Sequence, residues 1–192
     1  MPVMRVMRVI PVKRPRRARH TAAVVTLGAL LLGATAGCSG ARGYEVPAEL
    51  CGVPADTGRL SPLLPDGDAI EQKENDLGQG SRSCRLSVDS RQVLYVRADV
   101  VPADTDPVKV NEHALTGLGN PRPAGIGDDA RIADKGALAV VACPADPQKR
   151  KFVLEADLAT KTPEDTADRR RALTRFLEAY LPQALKKRGC TA

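Results

Sequence analysis

Apolar residues recur at every second position in three stretches of the chain. Cys84, Leu86 and Val88 alternate with Arg85, Ser87 and Asp89, and Leu94, Val96, Ala98 and Val100 form a second face of the same kind. Both stretches read as strands with one buried side, because successive side chains of a strand point to opposite faces. Asp89-Ser90-Arg91-Gln92 joins them as a hairpin. In the third stretch, residues 151–158, Phe152, Leu154, Ala156 and Leu158 share a face that Lys151, Glu155 and Asp157 do not. Residues 131–134 and 137–143 read as two further strands, making about five.

Elsewhere the spacing is helical or absent. Residues 107–118 begin with Pro107 at a helix start, carry Val110, Ala114, Leu115 and Leu118 at helical spacing, and stop at Gly119, which predicts one middle helix. Thr162-Pro163-Glu164-Asp165 is a capping sequence ahead of the stripe Leu173, Phe176, Leu177, Tyr180, Leu181, Ala184 and Leu185, which predicts a long C-terminal helix kinked near Pro182. Residues 47–64, broken by Gly52, Pro54, Gly58 and Pro62, suggest short helical turns. Polar residues 66–80 and the Pro/Gly-rich residues 120–129 read as loops.

Strands in hairpin order with helices at both ends predict an α+β domain: an antiparallel sheet of about five strands covered by the C-terminal helix. The expected division is a signal peptide at 1–37, a lipidated tether at 38–47 and a single α+β domain at 48–192.

Charge first misleads and then sharpens the picture. The chain has 29 Lys+Arg against 23 Asp+Glu, but seven basic residues and no acidic one precede Cys38, leaving 22 against 23 after it. An excess of that origin gives no reason to expect nucleic acid as a partner, and the few aromatics and absence of Trp count against a stacking surface. The basic leader is followed by the charge-free residues 21–37 with an apolar centre at 22–32, the order of a secretory signal. It ends Thr35-Ala36-Gly37-Cys38, which resembles the lipobox at which lipoprotein signal peptidase cuts and the cysteine is acylated. Competing readings are a secreted protein cut near Ala34-Thr35-Ala36, or an uncleaved anchor. Arg16-Arg17 leaves the export route, general secretory or twin-arginine, open.

Cysteine usage agrees with export. After Cys38, the residues Cys51, Cys84, Cys143 and Cys190 make an even set, which in an exported chain implies two disulfides among three possible pairings. The expected pairs are Cys51 with Cys84 and Cys143 with Cys190, each joining a segment near one end of the fold to a strand terminus. Zinc is the alternative, yet no pair has C-x-x-C spacing and only His113 follows the leader.

Candidate chemistry is sparse. Nucleophilic catalysis needs a base near neutral pKa, and His113 is the one histidine outside the leader. The acidic pairs Asp66/Asp68, Asp104/Asp106 and Asp128/Asp129 lack calcium-loop spacing and read as turn formers. No catalytic residue, metal ligand or cofactor site is assigned. The basic runs Arg169-Arg170-Arg171 with Arg175, and Lys186-Lys187-Arg188, read as a solvated helix face, with anionic lipid headgroups as the other possibility.

The residues resemble a family of small actinobacterial envelope lipoproteins with an uncharacterised, disulfide-paired α+β domain. The similar features are Cys51 with the Leu/Pro segment Pro62-Leu63-Leu64, Gly80 to Cys84, the run Gly125-Ile126-Gly127-Asp128-Asp129-Ala130, and Gly136 through Cys143. The resemblance implies fold and address: cell membrane, lipid-anchored, extracytoplasmic face. It implies no activity.

The expected function is a non-enzymatic binding or accessory module of the cell envelope, with the membrane as one partner and an unknown protein or small molecule as another. A small envelope hydrolase is the alternative. The loop 119–129 is the expected contact, with Arg122 as an anion contact and Ile126 beside it; a plain connector is the competing reading.

Overall fold

In the computed structural model, which describes residues 42–191, seven strands form one fully antiparallel sheet and a 22-residue helix lies across it. The strands of the sheet are β3 (Ile70–Gly78), β4 (Ser81–Val88), β5 (Arg91–Val101), β6 (Arg122–Pro123), β7 (Asp129–Ile132), β8 (Gly136–Ala142) and β9 (Lys151–Leu158), in the order β3-β4-β5-β9-β8-β7-β6. A separate two-strand hairpin, β1 (Glu49–Leu50) and β2 (Val53–Pro54), precedes a short helix α1 (Thr57–Leu60) and a 3₁₀ turn at Ser61–Leu63. Two short helices, α2 (Pro107–Val110) and α3 (Glu112–Gly117), follow β5, and α4 (Thr166–Lys187) closes the fold.

The α+β class and the helix-covered antiparallel sheet are as expected; five strands is an undercount. The polar stretch expected as a loop at 66–80 contains β3. Its side chains are exposed or half-buried along the whole strand, as suits a polar sheet edge, so no alternation marks it. β3 and β4 meet through Gln79-Gly80, and β4 and β5 through Asp89-Ser90; both two-residue turns have positive φ at each central position, the mirror-type turn whose twist matches a hairpin. β6 is a two-residue edge strand inside the expected loop 120–129, and Pro123 is tolerated there because an edge position needs no donor.

The middle helix is two pieces. Asp106 caps α2 by accepting from Lys109 N at 3.1 Å, and the chain leaves helical geometry at Asn111 (φ −96°, ψ 10°). The expected helical turns at 47–64 are a hairpin followed by α1 and the 3₁₀ turn. In α4 the expected kink at Pro182 does not end the helix, which continues to Lys187.

The core lies between α4 and one face of the sheet. Leu173, Phe176, Leu177, Tyr180 and Ala184 pack against Leu86, Leu94, Val96, Phe152 and Leu154, while Leu50, Leu60, Leu63 and Leu64 close one side. A smaller cluster on the opposite face joins Leu115 of α3 to Leu138, Val140 and Val153. Gly136 in β8 has no room for a side chain: a Cβ there would lie 2.6 Å from Leu118 Cδ1 and 2.8 Å from Asp157 Oδ1. That close approach seats Leu118, which follows α3, on the sheet.

Both disulfides join the expected cysteines, Cys51–Cys84 and Cys143–Cys190. Backbone geometry delivers each. Cys51 and Gly52 form the positive-φ turn between β1 and β2. The end of α4 is a Schellman motif, with Cys190 N donating to Leu185 O at 3.0 Å, Gly189 N donating to Lys186 O at 3.1 Å, and Gly189 at φ 69°. That reversal returns Cys190 to Cys143 at the end of β8. Closing loops of 33 and 47 residues stabilises the fold by about 4 kcal/mol each in the chain-entropy model.

Candidate functional site

Cys38 and the expected signal peptide at 1–37 lie outside the described residues. The expected tether at 38–47 is described from Arg42 onward, and that part is bound to the domain. Arg42 donates through Nη1 to Ser61 Oγ at 2.6 Å and through Nη2 to Leu64 O at 2.7 Å, Gly43 N donates to Gly67 O at 2.8 Å, and the Tyr44 hydroxyl donates to Pro65 O.

The loop 119–129 does not present the expected pair of contacts. Arg122 is exposed on β6, but Ile126 is 6% exposed and belongs to the main core, so it offers nothing to a partner. The positive φ of Gly127 (62°) turns the chain inward there, and a Cβ at Gly127 would meet Val140 O at 2.6 Å. Only a buried anchor fits such a position.

The first basic run of α4 is structural. Arg169 is 3% exposed and donates to Asp134 O and Pro163 O at 2.6 Å, Glu164 O at 3.0 Å and Thr166 Oγ1 at 3.2 Å. Arg170 binds Asp134 Oδ1 at 2.6 Å, Ile132 O at 3.1 Å and Asn120 O at 2.5 Å. Hydrogen bonds from Asn120 and Arg170 hold the Asp134 carboxyl below the usual carboxylate range. Arg171 and Arg175 alone of this run are exposed, and Arg171 is paired with Asp168.

Of the acidic pairs expected as turn formers, Asp106 and Asp128 serve the backbone, while Asp66 and Asp129 pair with Arg42 and Arg131. Asp106 caps α2, and Asp128 accepts from Ala142 N at 2.6 Å. His113 is exposed on α3. Among the described residues, no group of three or more His, Cys, Asp and Glu is placed to hold a metal ion.

A mostly polar cleft of about 470 Å³ lies beside Pro121 and Asp129 of the loop 119–129, and a more apolar one lies elsewhere. A cleft of about 360 Å³ opens between the β1–β2 hairpin, the adjoining strands β4 and β5, and the C-terminal end of α4. Leu50 and Val53 form one wall, Val96, Ala98 and Leu154 the sheet side, and Tyr180 and Ala184 the helix side. The Cys51–Cys84 disulfide ties the hairpin to the sheet beside it. The Gln72 side chain does the same, accepting from Cys51 N at 2.7 Å and donating to Glu49 O at 2.9 Å. Tyr180 stacks on Phe176, with ring centroids 5.1 Å apart, and its hydroxyl donates to Leu50 O at 3.4 Å; burial raises its pKa.

The rim of the cleft is charged. Glu74 accepts from Arg82 Nη1 at 2.8 Å, and Lys187 and Arg188 complete the edge. Arg188 donates to Ala98 O at 3.3 Å, while its buried Nε has no partner among the described residues. Sequence reasoning missed this site because its walls come from residues near 50, 84, 97 and 184, which no local period connects. The one available signal was Lys186-Lys187-Arg188 beside the cysteine-bearing C-terminus.

A second polar feature occupies the sheet face turned away from α4, where Arg97 pairs with Asp99 at 2.8 Å beside Glu155 and Asp157. Burial raises both Glu155 and Asp157, the latter to about 6. A carboxyl raised in the folded state binds more protons than in the unfolded chain, so its contribution favours folding below about pH 4 and is lost as pH rises through about 6. Asp157→Asn is therefore expected to stabilise the domain above pH 7, by up to about 3 kcal/mol for a shift of about two units. Near pH 4 it should leave stability unchanged. Urea midpoints of both proteins at pH 4 and pH 8 check this; an equal difference at the two pH values contradicts it.

Comparison with family models, with curated proteins and with solved structures finds no match to this chain.

Proposed function

We propose that the chain is an extracytoplasmic lipoprotein held on the cell membrane by acylated Cys38, and that its α+β domain is a non-catalytic binding module of the cell envelope. A chain of this kind resembles the small actinobacterial envelope lipoproteins. The observation that carries the address is the run Thr35-Ala36-Gly37-Cys38 closing a charge-free segment behind seven basic residues. Two disulfides in the domain agree with an oxidising compartment.

The start of the domain supports a close mounting. Four Cα–Cα steps separate Cys38 from Arg42, a reach of at most about 15 Å. The end of the domain carrying Ser61, Pro65, Gly67 and the Asp89 turn would then lie near the bilayer, since Arg42, Gly43 and Tyr44 are bonded to that end and Asp89 accepts from Asp68 N at 3.0 Å. Cys84 stands five residues from Asp89 along β4, so the cleft lies about 17 Å further along the strand. A binding site set off from the tethered end suits a module that meets its ligand in the aqueous envelope. For the non-catalytic part, the support is that His113, the imidazole base a serine- or cysteine-dependent hydrolase would use, is exposed on α3 and does not line the cleft, and that the one carboxylate at the cleft, Glu74, is engaged by Arg82.

Intact-mass analysis of the protein extracted from membranes tests the address. The expected species begins at Cys38 and carries a diacylglyceryl group on that cysteine. A mature chain beginning elsewhere, or an unmodified Cys38, contradicts the reading.

A further inference from the structure

We propose that the cleft between the β1–β2 hairpin and the end of α4 binds a small amphiphilic anion, with an apolar body against Val96, Leu154 and Tyr180 and a carboxylate or phosphate head at Lys187 and Arg188. The inference deepens the binding-module reading and rests on it.

The cleft's volume, about 360 Å³, falls at the lower end of the ~300–1,000 Å³ typical of small-molecule sites. Its walls are apolar and offer little to a sugar or a polar peptide. Polar groups are gathered at one edge instead, so a ligand that fits must be apolar along most of its length and polar at one end.

The sign of that end follows from the rim. Three cations, Arg82, Lys187 and Arg188, face one carboxylate, Glu74, and Glu74 is already engaged by Arg82 at 2.8 Å. Lys187 has no ion-pair partner among the described residues, and Arg188 has only the long bond to Ala98 O at 3.3 Å. Its Nε is buried without a partner. Burial and the nearby charge of Arg82 both disfavour the charged form of Arg188, lowering its pKa. Asp99, Asp76 and Glu74 offset part of this from a distance, but none forms an ion pair with the guanidinium among the described residues, and a partly desolvated cation with a donor unused favours an anion placed against it. A carboxylate or phosphate between Lys187 and Arg188 supplies that charge and accepts from the unused donor. A cationic amphiphile would add to the repulsion, and an uncharged one would leave it unrelieved.

Decanoate is the probe, titrated calorimetrically into the proposed mature chain, produced from residue 38 onward without the leader and carrying Cys38→Ser, with decanol and decyltrimethylammonium as controls. One saturable site for decanoate is expected, with binding at least about tenfold weaker for decanol and undetectable for the cation. Lys187→Gln with Arg188→Gln should weaken decanoate about ten- to hundredfold, the range expected for charge-assisted hydrogen bonds. Ala98→Leu, which narrows the cleft from the sheet side, should weaken decanoate and decanol alike, with thermal melts showing that both variants fold. Equal affinity for decanoate and decanol, or loss of less than twofold in the double variant, overturns the proposal, as does absence of decanoate binding to the unsubstituted cleft. A failure here with Cys38 acylated overturns only the ligand class. Decanoate binding by a chain never acylated in cells overturns only the address.

Discussion

Arg169→Ala is expected to lower the unfolding free energy by about 3–5 kcal/mol, the largest loss from any single surface-coded residue in the domain. Arg169 is 3% exposed, and its guanidinium serves four acceptors on three segments: the backbone of Asp134, the backbone of Pro163 and Glu164, and the hydroxyl of Thr166. Truncation strands those oxygens in a region where water reaches them poorly, at about 1–3 kcal/mol for each group left unpaired, less than additively. Lysine does not replace it, because a single ammonium cannot reproduce the planar fork that meets carbonyls on both sides. Arg171→Ala, two positions on and exposed with Asp168 as its partner, should change stability by less than about 1 kcal/mol. Urea unfolding of the two variants checks the contrast; a loss below about 1 kcal/mol for Arg169→Ala contradicts the structural role.

That contrast also shows where the sequence was readable and where it was not. In Arg169-Arg170-Arg171 the three side chains are chemically alike along the chain, and only the surrounding loops distinguish a buried clamp from an exposed cation. β4, β5 and β9 were legible because each has a core face and alternates accordingly, and α4 because its stripe has a clean helical period. β3 was not, since an edge strand with no buried residue carries no period-two signal. The middle helix looked continuous because Val110, Ala114 and Leu118 keep helical spacing across Asn111, although the backbone breaks there.

The disulfide pairing was within reach although only Cys51, Cys143 and Cys190 lie beside element boundaries; Cys84, expected at a strand terminus, stands inside β4. Ile126 illustrates the opposite case. A glycine- and proline-rich loop suggested an exposed apolar contact, whereas the chain uses Gly127 to tuck that side chain into the core. The cleft was illegible for a further reason. It exists only where a hairpin, a sheet and a helix end converge, and its clearest mark is a buried Arg188 nitrogen without a partner, a property of the folded molecule alone.

The claim on which the functional reading turns is that Cys38 carries lipid. A single acyl chain holds a protein to a bilayer only marginally, whereas two give stable attachment at about 0.8 kcal/mol per buried methylene, so a diacylated cysteine alone suffices to fix the domain at the membrane. If Cys38 is acylated, processing depends on the same residue, because lipoprotein signal peptidase cuts only ahead of a lipid-modified cysteine. The largest expected effect in this protein is therefore a qualitative one. Cells expressing the wild-type chain and Cys38→Ala, fed an alkyne-tagged palmitate and fractionated, measure it directly. The account predicts a labelled, cleaved, membrane-bound wild-type protein, and for Cys38→Ala no label together with accumulation of the uncut precursor. Unchanged cleavage and unchanged membrane association in Cys38→Ala, or a wild-type protein that takes up no label, would contradict it.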